Sequence, residues 1–261
     1  MVGAVAGMLV ALSTGPAYAD PGASAGGSAA PGYNAIPAHV SENVPSVGFE
    51  ATSTSEFGDA VGLSGKSRTA KSMSVLFSSW GCQSGGGITC VTTPGATFDV
   101  PLTFTVYASD PAGTQGAVLA QVTKIVAMPY RPSASAQCTN SDGSLNGKWF
   151  NSSDKGCYNG FPQTVTMDLP AVTLTDQVVW TVAYNTSDYG HAPIGHGTAC
   201  YAAGDCGYDS LNVGAQSFPN APFSGTDLNE DLVFVNSTGS GMTSDGWTGY
   251  RPLGSITTTN N

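Results

Sequence analysis

The feature that most narrows what this chain can fold into is a period of two in its apolar residues, repeated over many short runs. Val178, Trp180, Val182 and Tyr184 alternate with Val179, Thr181 and Ala183; Val165, Met167 and Leu169 alternate with Thr164, Thr166 and Asp168. Leu102, Phe104 and Val106 alternate in the same way with Thr103, Thr105 and Tyr107, and Met73, Val75 and Phe77 with Ser72, Ser74 and, less cleanly, Leu76. Successive side chains of a strand point to opposite faces, so each run can bury one face and hydrate the other. Val47, Phe49 and Ala51, the Val/Ile-rich run from Gly116 to Met128, the run from Leu232 to Val235 and a closing run from Tyr250 to Thr257 bring the expectation to about nine strands. No stretch has the periodicity of an amphipathic helix. The expected fold class is all-β: an antiparallel two-sheet β-sandwich of jelly-roll type, with disulfide-clipped loops.

The N-terminal region departs from this pattern. Residues 1–19, MVGAVAGMLVALSTGPAYA, form an apolar run closing on Ala17-Tyr18-Ala19, the small-x-small pattern of signal-peptide cleavage. A secreted, extracellular protein with its signal removed after Ala19 is therefore expected. No Lys or Arg precedes the apolar run, so an initiation site upstream of Met1 is also considered. Residues 20–43 are rich in Gly, Ala, Ser and Pro and offer little to bury, which predicts a flexible leader. Within it Gly22-Ala23-Ser24-Ala25-Gly26 matches G-x-S-x-G by letters alone, because a nucleophile elbow needs a strand before the serine and a helix after it. Residues 44–261 are expected to form a single β-sandwich domain. No other apolar stretch approaches the ~20 residues of a membrane-spanning helix, so no membrane span is predicted.

Eight Lys and Arg against 18 Asp and Glu give a net charge of −10, which leaves no basic patch for phosphates and argues against nucleic acid as a partner. The six cysteines of an exported chain are expected to be oxidised. They fall into three neighbouring pairs, Cys82/Cys90, Cys138/Cys157 and Cys200/Cys206, whose 7, 18 and 5 intervening residues match no zinc spacing. Sequential pairing, with each disulfide clipping one loop, is the prediction.

The loop after the strand that ends at Tyr184 concentrates polar and aromatic groups. It holds Tyr189, Tyr201 and Tyr208, His191 and His196, and Asp188, Asp205 and Asp209 around the Cys200/Cys206 pair. Flat rings beside amides and carboxylates suit sugars, whose apolar faces stack while their hydroxyls are hydrogen-bonded. Tyr189, His191, His196, Tyr201, Tyr208 and Asp209, with Trp80 on a separate turn, are the predicted ligand-binding residues; Trp149 and Phe150 add aromatic surface inside the Cys138/Cys157 loop. No catalytic residue is assigned. A Ser/His/Asp hydrolase would have to use His191 or His196, and a glycosidase a carboxylate pair such as Glu50 with Glu56 or Asp205 with Asp209, but neither arrangement has a specific sequence signature. Calcium is the one cofactor the pattern offers, at Asp227, Asn229 and Asp231, which have oxygen-ligand spacing. Leu232 stands where an EF-hand needs glycine and Thr238 where it needs glutamate, so only a simpler site is in view.

The block SMSVLFSSWGCQSGGGITCVTTPGATFDVPLTFTVYA (72–108), together with PSVGFEATSTSEFGD (45–59), YNTSDYG and CGYDSLNV, resembles a family of secreted actinobacterial proteins with the same Trp-Gly-Cys turn, Thr-Pro-Gly corner and Tyr-Asp-Ser-Leu-Asn segment. The resemblance implies secretion and a β-sandwich and brings no catalytic residue with it. More loosely, the layout is similar to β-sandwich modules of bacterial surface proteins, some of which bind carbohydrate. The closing RPLGSITTTNN lacks an apolar tail, so release or non-covalent retention is expected. The expected function is a secreted non-enzymatic binding module acting at the cell surface or on an extracellular polymer, carbohydrate above all. A polysaccharide-acting hydrolase is the runner-up, and a structural envelope-associated protein with no small ligand is the third.

Overall fold

The computed structural model describes residues 29–40, 42, 44–186, 211–217, 222–237, 243–246 and 250–259. In chain order the strands begin with β1 (Ala30–Asn34), β2 (Ser46–Gly48), β3 (Glu56–Gly62), β4 (Thr69–Ser79), β5 (Thr97–Ser109), β6 (Gln115–Pro129), β7 (Trp149–Asn151) and β8 (Gly156–Tyr158). They continue with β9 (Phe161–Asp168), β10 (Gln177–Ala183), β11 (Leu211–Ser217), β12 (Thr226–Asp227), β13 (Leu232–Asn236), β14 (Thr243–Gly246), β15 (Tyr250–Pro252) and β16 (Gly254–Thr259). One short helix, α1 (Phe49–Thr52), follows β2. The all-β class expected from the alternation is what the chain adopts, and every strand pairing is antiparallel.

One seven-stranded sheet runs β14-β13-β3-β10-β5-β6, with β12 on β3. The other is built on β4, whose residues 72–75 pair with β16 on one side and β9 on the other. β1 continues outward from β16. Beyond Val75 the β16 side of β4 is taken over by β11, which also carries β2 and β15, and the sheet curls into a half-barrel. β7 and β8 form a separate hairpin.

The alternating residues become a single core shared by both sheets. Val100, Leu102, Phe104 and Val106 of β5 and Val178, Trp180 and Val182 of β10 meet Met73, Val75 and Phe77 of β4 and Val165 and Met167 of β9. A tight steric constraint lies at the indole of Trp180, which is 1% exposed. A Cβ at position 254 would lie 2.5 Å from the indole, so Gly254 opens the slot that the ring fills. The edge strand β6 is mostly exposed, and Lys124 stands opposite Leu102 on its core-facing side.

Three features differ from expectation. The segment taken as a flexible leader is not free along its whole length, because β1 begins at Ala30 and pairs with β16, and Tyr33 is fully buried. One aromatic ring and a free sheet edge supply the burial that the surrounding Gly/Pro-rich composition hides. The predicted strand through Val47, Phe49 and Ala51 stops at Gly48 and turns into α1, which leaves Phe49 stacked on Tyr184 at 3.9 Å and 9°. β3, a central strand, was not anticipated, because Gly58, Asp59 and Gly62 interrupt its apolar pattern.

Gly254→Ala tests the slot. Forcing a methyl group into a filled core typically costs ~1–3 kcal/mol, so the urea midpoint should fall clearly; an unchanged midpoint would show that the indole is not tightly held.

Candidate functional site

Two of the three predicted disulfides lie among the described residues, and both form as expected. Cys82 and Cys90 are bonded with Cα atoms 5.5 Å apart, and Cys138 and Cys157 with Cα atoms 5.7 Å apart. The first closes a tight loop after β4, and the second ties residue 138 to the β7/β8 hairpin. Arg131, which follows β6 and is 4% exposed, joins the two loops. Its N–H donates to the Gly81 carbonyl at 2.9 Å, and its guanidinium Nη2 donates to the Gly147 carbonyl at 2.9 Å and the Gly87 carbonyl at 3.4 Å. Charge-assisted donation to carbonyls suits a buried guanidinium, whose hydration must be replaced. The loops touch backbone to backbone here: Gly147 has φ +80°, and a Cβ on it would lie 2.6 Å from the Gly87 carbonyl carbon.

Beside this junction lies a cavity of about 680 Å³. Its walls are the corner at residues 92–96, the segment 129–137, and one ring each from β7 and β9. Tyr130, Phe150 and Phe161 supply aromatic surface, Pro94, Pro129 and Pro132 supply stiff apolar surface, and Thr92, Ser133, Ser135 and Gln137 supply hydroxyl and amide groups. Packing outside the cavity holds two of the rings. Tyr130 lies against Phe98 at 4.7 Å, and Phe161 meets Trp149 edge-on at 5.7 Å. Trp149 is itself fixed by its indole N–H, which donates to the Gly160 carbonyl at 2.8 Å. The Ser133 hydroxyl accepts from the Thr92 N–H at 2.9 Å and donates to the Thr92 carbonyl at 3.1 Å, which ties the two walls together. Ser135 and Gln137 are the polar side chains nearer the rim, where the Gln137 N–H donates to the Ser135 hydroxyl at 3.2 Å.

Among the described residues the lining contains no carboxylate, imidazole, amine or thiol, and its ionisable group is the Tyr130 phenol. The cavity can therefore stack, enclose and hydrogen-bond a ligand.

Tyr189, His191, His196, Tyr201, Tyr208 and Asp209, with Cys200 and Cys206, lie outside the described residues. The base of their loop is described. The buried Tyr184 hydroxyl donates to the Leu211 carbonyl at 2.6 Å and so pins the exit from β10 to the start of β11. Burial, then the Glu50 carboxylate, raises the Tyr184 phenol well above its ordinary range. Trp80 is half-buried, donates its indole N–H to the Ser78 hydroxyl at 3.1 Å and does not line the cavity. Glu50 is 1% exposed, which shuts it away from any substrate, while one oxygen of Glu56 accepts from the Tyr107 hydroxyl at 3.0 Å and the Thr181 hydroxyl at 2.6 Å.

The calcium pattern resolves into a turn and an ion pair. Asp227 accepts the Asn229 N–H at 3.0 Å through Oδ1 and pairs with Arg251 at 2.8 Å through Oδ2, while Asn229 and Asp231 are exposed. Among the described residues no three acidic, histidine or cysteine side chains gather as a metal site. No helix among them is long and apolar enough to cross a membrane.

Replacing Cys138 and Cys157 by serine should cost about 3 kcal/mol on the chain-entropy estimate for a loop of this size, read from denaturant unfolding. The serine variant should also lose protection from amide exchange over residues 131–137. Unchanged exchange would show that the cavity wall does not depend on the clip. No protein family, curated protein or solved structure matches the chain.

Proposed function

We propose that this protein is a secreted, non-enzymatic binding module, and that its ligand is a neutral carbohydrate of the cell surface or of an extracellular polymer, held in the cavity between the disulfide-clipped loops. The observation that carries this reading is the lining itself, three aromatic rings with hydroxyl and amide groups and, among the described residues, no carboxylate or imidazole. A pyranose ring presents apolar C–H faces and a belt of hydroxyls, which fits stacking on Tyr130, Phe150 or Phe161 with hydrogen bonds to Ser135 and Gln137. The absence of a cationic side chain from the lining, together with the net charge of −10, disfavours uronic-acid and phosphate-bearing polymers. Two disulfides are compatible with the extracellular location, and the actinobacterial resemblance belongs to the same reading.

The finer fold assignment, a jelly-roll sandwich, is supported by strand order. β1-β16-β4-β9 in one sheet and β3-β10-β5-β6 in the other contain eight strands, and along these eight the chain crosses between sheets at every step but the β5–β6 hairpin, the order of a jelly roll.

The test is a glycan array of neutral envelope and plant-wall polymers probed with the mature protein, followed by calorimetry on any hit. Tyr130→Ala and Phe150→Ala should each weaken binding by ~1–3 kcal/mol, the loss expected for an aromatic anchor, with the fold intact by circular dichroism. Absence of binding, or affinity unchanged in both variants, refutes the assignment; release of soluble sugar would favour the hydrolase.

A further inference from the structure

Two carboxylates and one guanidinium are enclosed between the sheets at a distance from any cavity described above. Arg251 of β15 and Asp227 of β12 form an ion pair at 2.8 Å, with side chains 1% and 4% exposed. Asp59 sits on the core-facing side of β3, between the core residues Phe57 and Val61 and opposite Trp180 of β10, and is 1% exposed. Its Oδ1 accepts the Ala60 N–H at 2.8 Å. Its Oδ2 and the Tyr33 hydroxyl are both fully enclosed and have no hydrogen-bond partner among the described residues. The groups that face Asp59 are Asp227 from β12, Arg251 from β15, Tyr33 from β1 and the Trp180 indole from β10.

A lone ionised carboxylate in an apolar interior is so costly that the group keeps its proton instead. Arg251 pairs with Asp227 through Nε, so a second negative charge would have to share that guanidinium across β3, β12 and β15. We propose that Asp59 is a proton-operated latch in the core beneath β3, closed while its carboxyl is neutral and loosened when it ionises, so that the fold is favoured in mildly acidic over alkaline surroundings.

Burial, then the Asp227 charge, raises Asp59 well above the usual carboxylate range, against smaller opposing effects of the Ala60 N–H and Arg251. A carboxyl that binds its proton more tightly in the native than in the unfolded state stabilises fully below the ordinary carboxylate range. That stability is lost as pH rises through the native value. Among the described groups with a displaced range, several act outside the useful window. Tyr33 and Tyr184 are both raised, first by burial, and so ionise only above the ordinary tyrosine range. Asp110 and Asp142 are lowered, first by backbone N–H donors, and Asp154 by the Tyr158 hydroxyl, so all three matter only at low pH. Glu42 is raised by burial and then by Asp154, in the same sense as Asp59, and serves as the control.

The experiment follows melting temperature from about pH 5 to 9 for the wild type, Asp59→Asn and Glu42→Gln. The amide can still accept the Ala60 N–H but carries no charge. The wild type should lose at least ~2–4 °C across the range, a readable shift for a chain of this size. Asp59→Asn should lose less and melt above the wild type at the alkaline end, while Glu42→Gln, which removes a half-buried group displaced in the same sense, should flatten the slope less than Asp59→Asn does. A wild-type slope in Asp59→Asn, or a lower melting temperature than the wild type at the alkaline end, overturns the latch. If Asp59→Asn does not fold, the side-chain carboxyl ¹³C resonance of Asp59 in the wild type, assigned through Ala60, decides. It should still report the protonated acid at about pH 6, where an ordinary aspartate is ionised, and an ionised signal there refutes the proposal.

Discussion

The indole of Trp180 is the constraint around which the two sheets are fitted. A side chain of that size, fully enclosed between facing sheets, can be placed only if the opposite sheet offers a hollow, and Gly254 provides one where any side chain would collide with the ring. Protein interiors pack at the density of organic crystals, so the neighbours of the ring follow from its placement. Val106 on β5 and Asp59 on β3 flank it in register, and the two sheets are thereby fixed against each other along their middle. Everything at the ends of the molecule is then built on a frame that does not shift.

That frame explains why the clipped loops, with little secondary structure beyond the short β7/β8 hairpin, can form a cavity. Arg131 satisfies carbonyls from both clipped loops at once, and the rings that face the cavity are backed by Phe98 and Trp149, which belong to the packed interior or are bonded to it. A ligand entering such a site meets groups already in place, so less of the interaction is spent on ordering them. The polar side chains follow the same division. Ser133 is consumed in joining the walls, whereas Ser135 and Gln137 add further polar groups to the lining.

Much of the frame was legible in the sequence because burial on one face imposes a local rule. β4, β5, β9 and β10 obey it, and so do the two disulfides, whose partners are near neighbours in the chain. β3 escaped detection for a physical reason: a strand with glycines at 58 and 62 and an acid at 59 pointing into the core breaks the alternation that betrays its neighbours. β1 rests on Tyr33 alone within a segment otherwise poor in apolar residues. The cavity was only partly visible. Phe150 stood out as a loop aromatic, but the wall opposite it comes from residues 92–96 and 129–137, and no local pattern announces that segments so far apart will meet.

The long strand β6 ends its sheet with a backbone edge that could accept another strand. Lys124 sits on its inward side, opposite Leu102. A strand from a second molecule added there would have to accommodate a lysine amine beside it or bend away, and either outcome interrupts a continuous sheet. With Val118 and Ile125 exposed on the same strand, that one charge separates an edge that resists pairing from one that invites it.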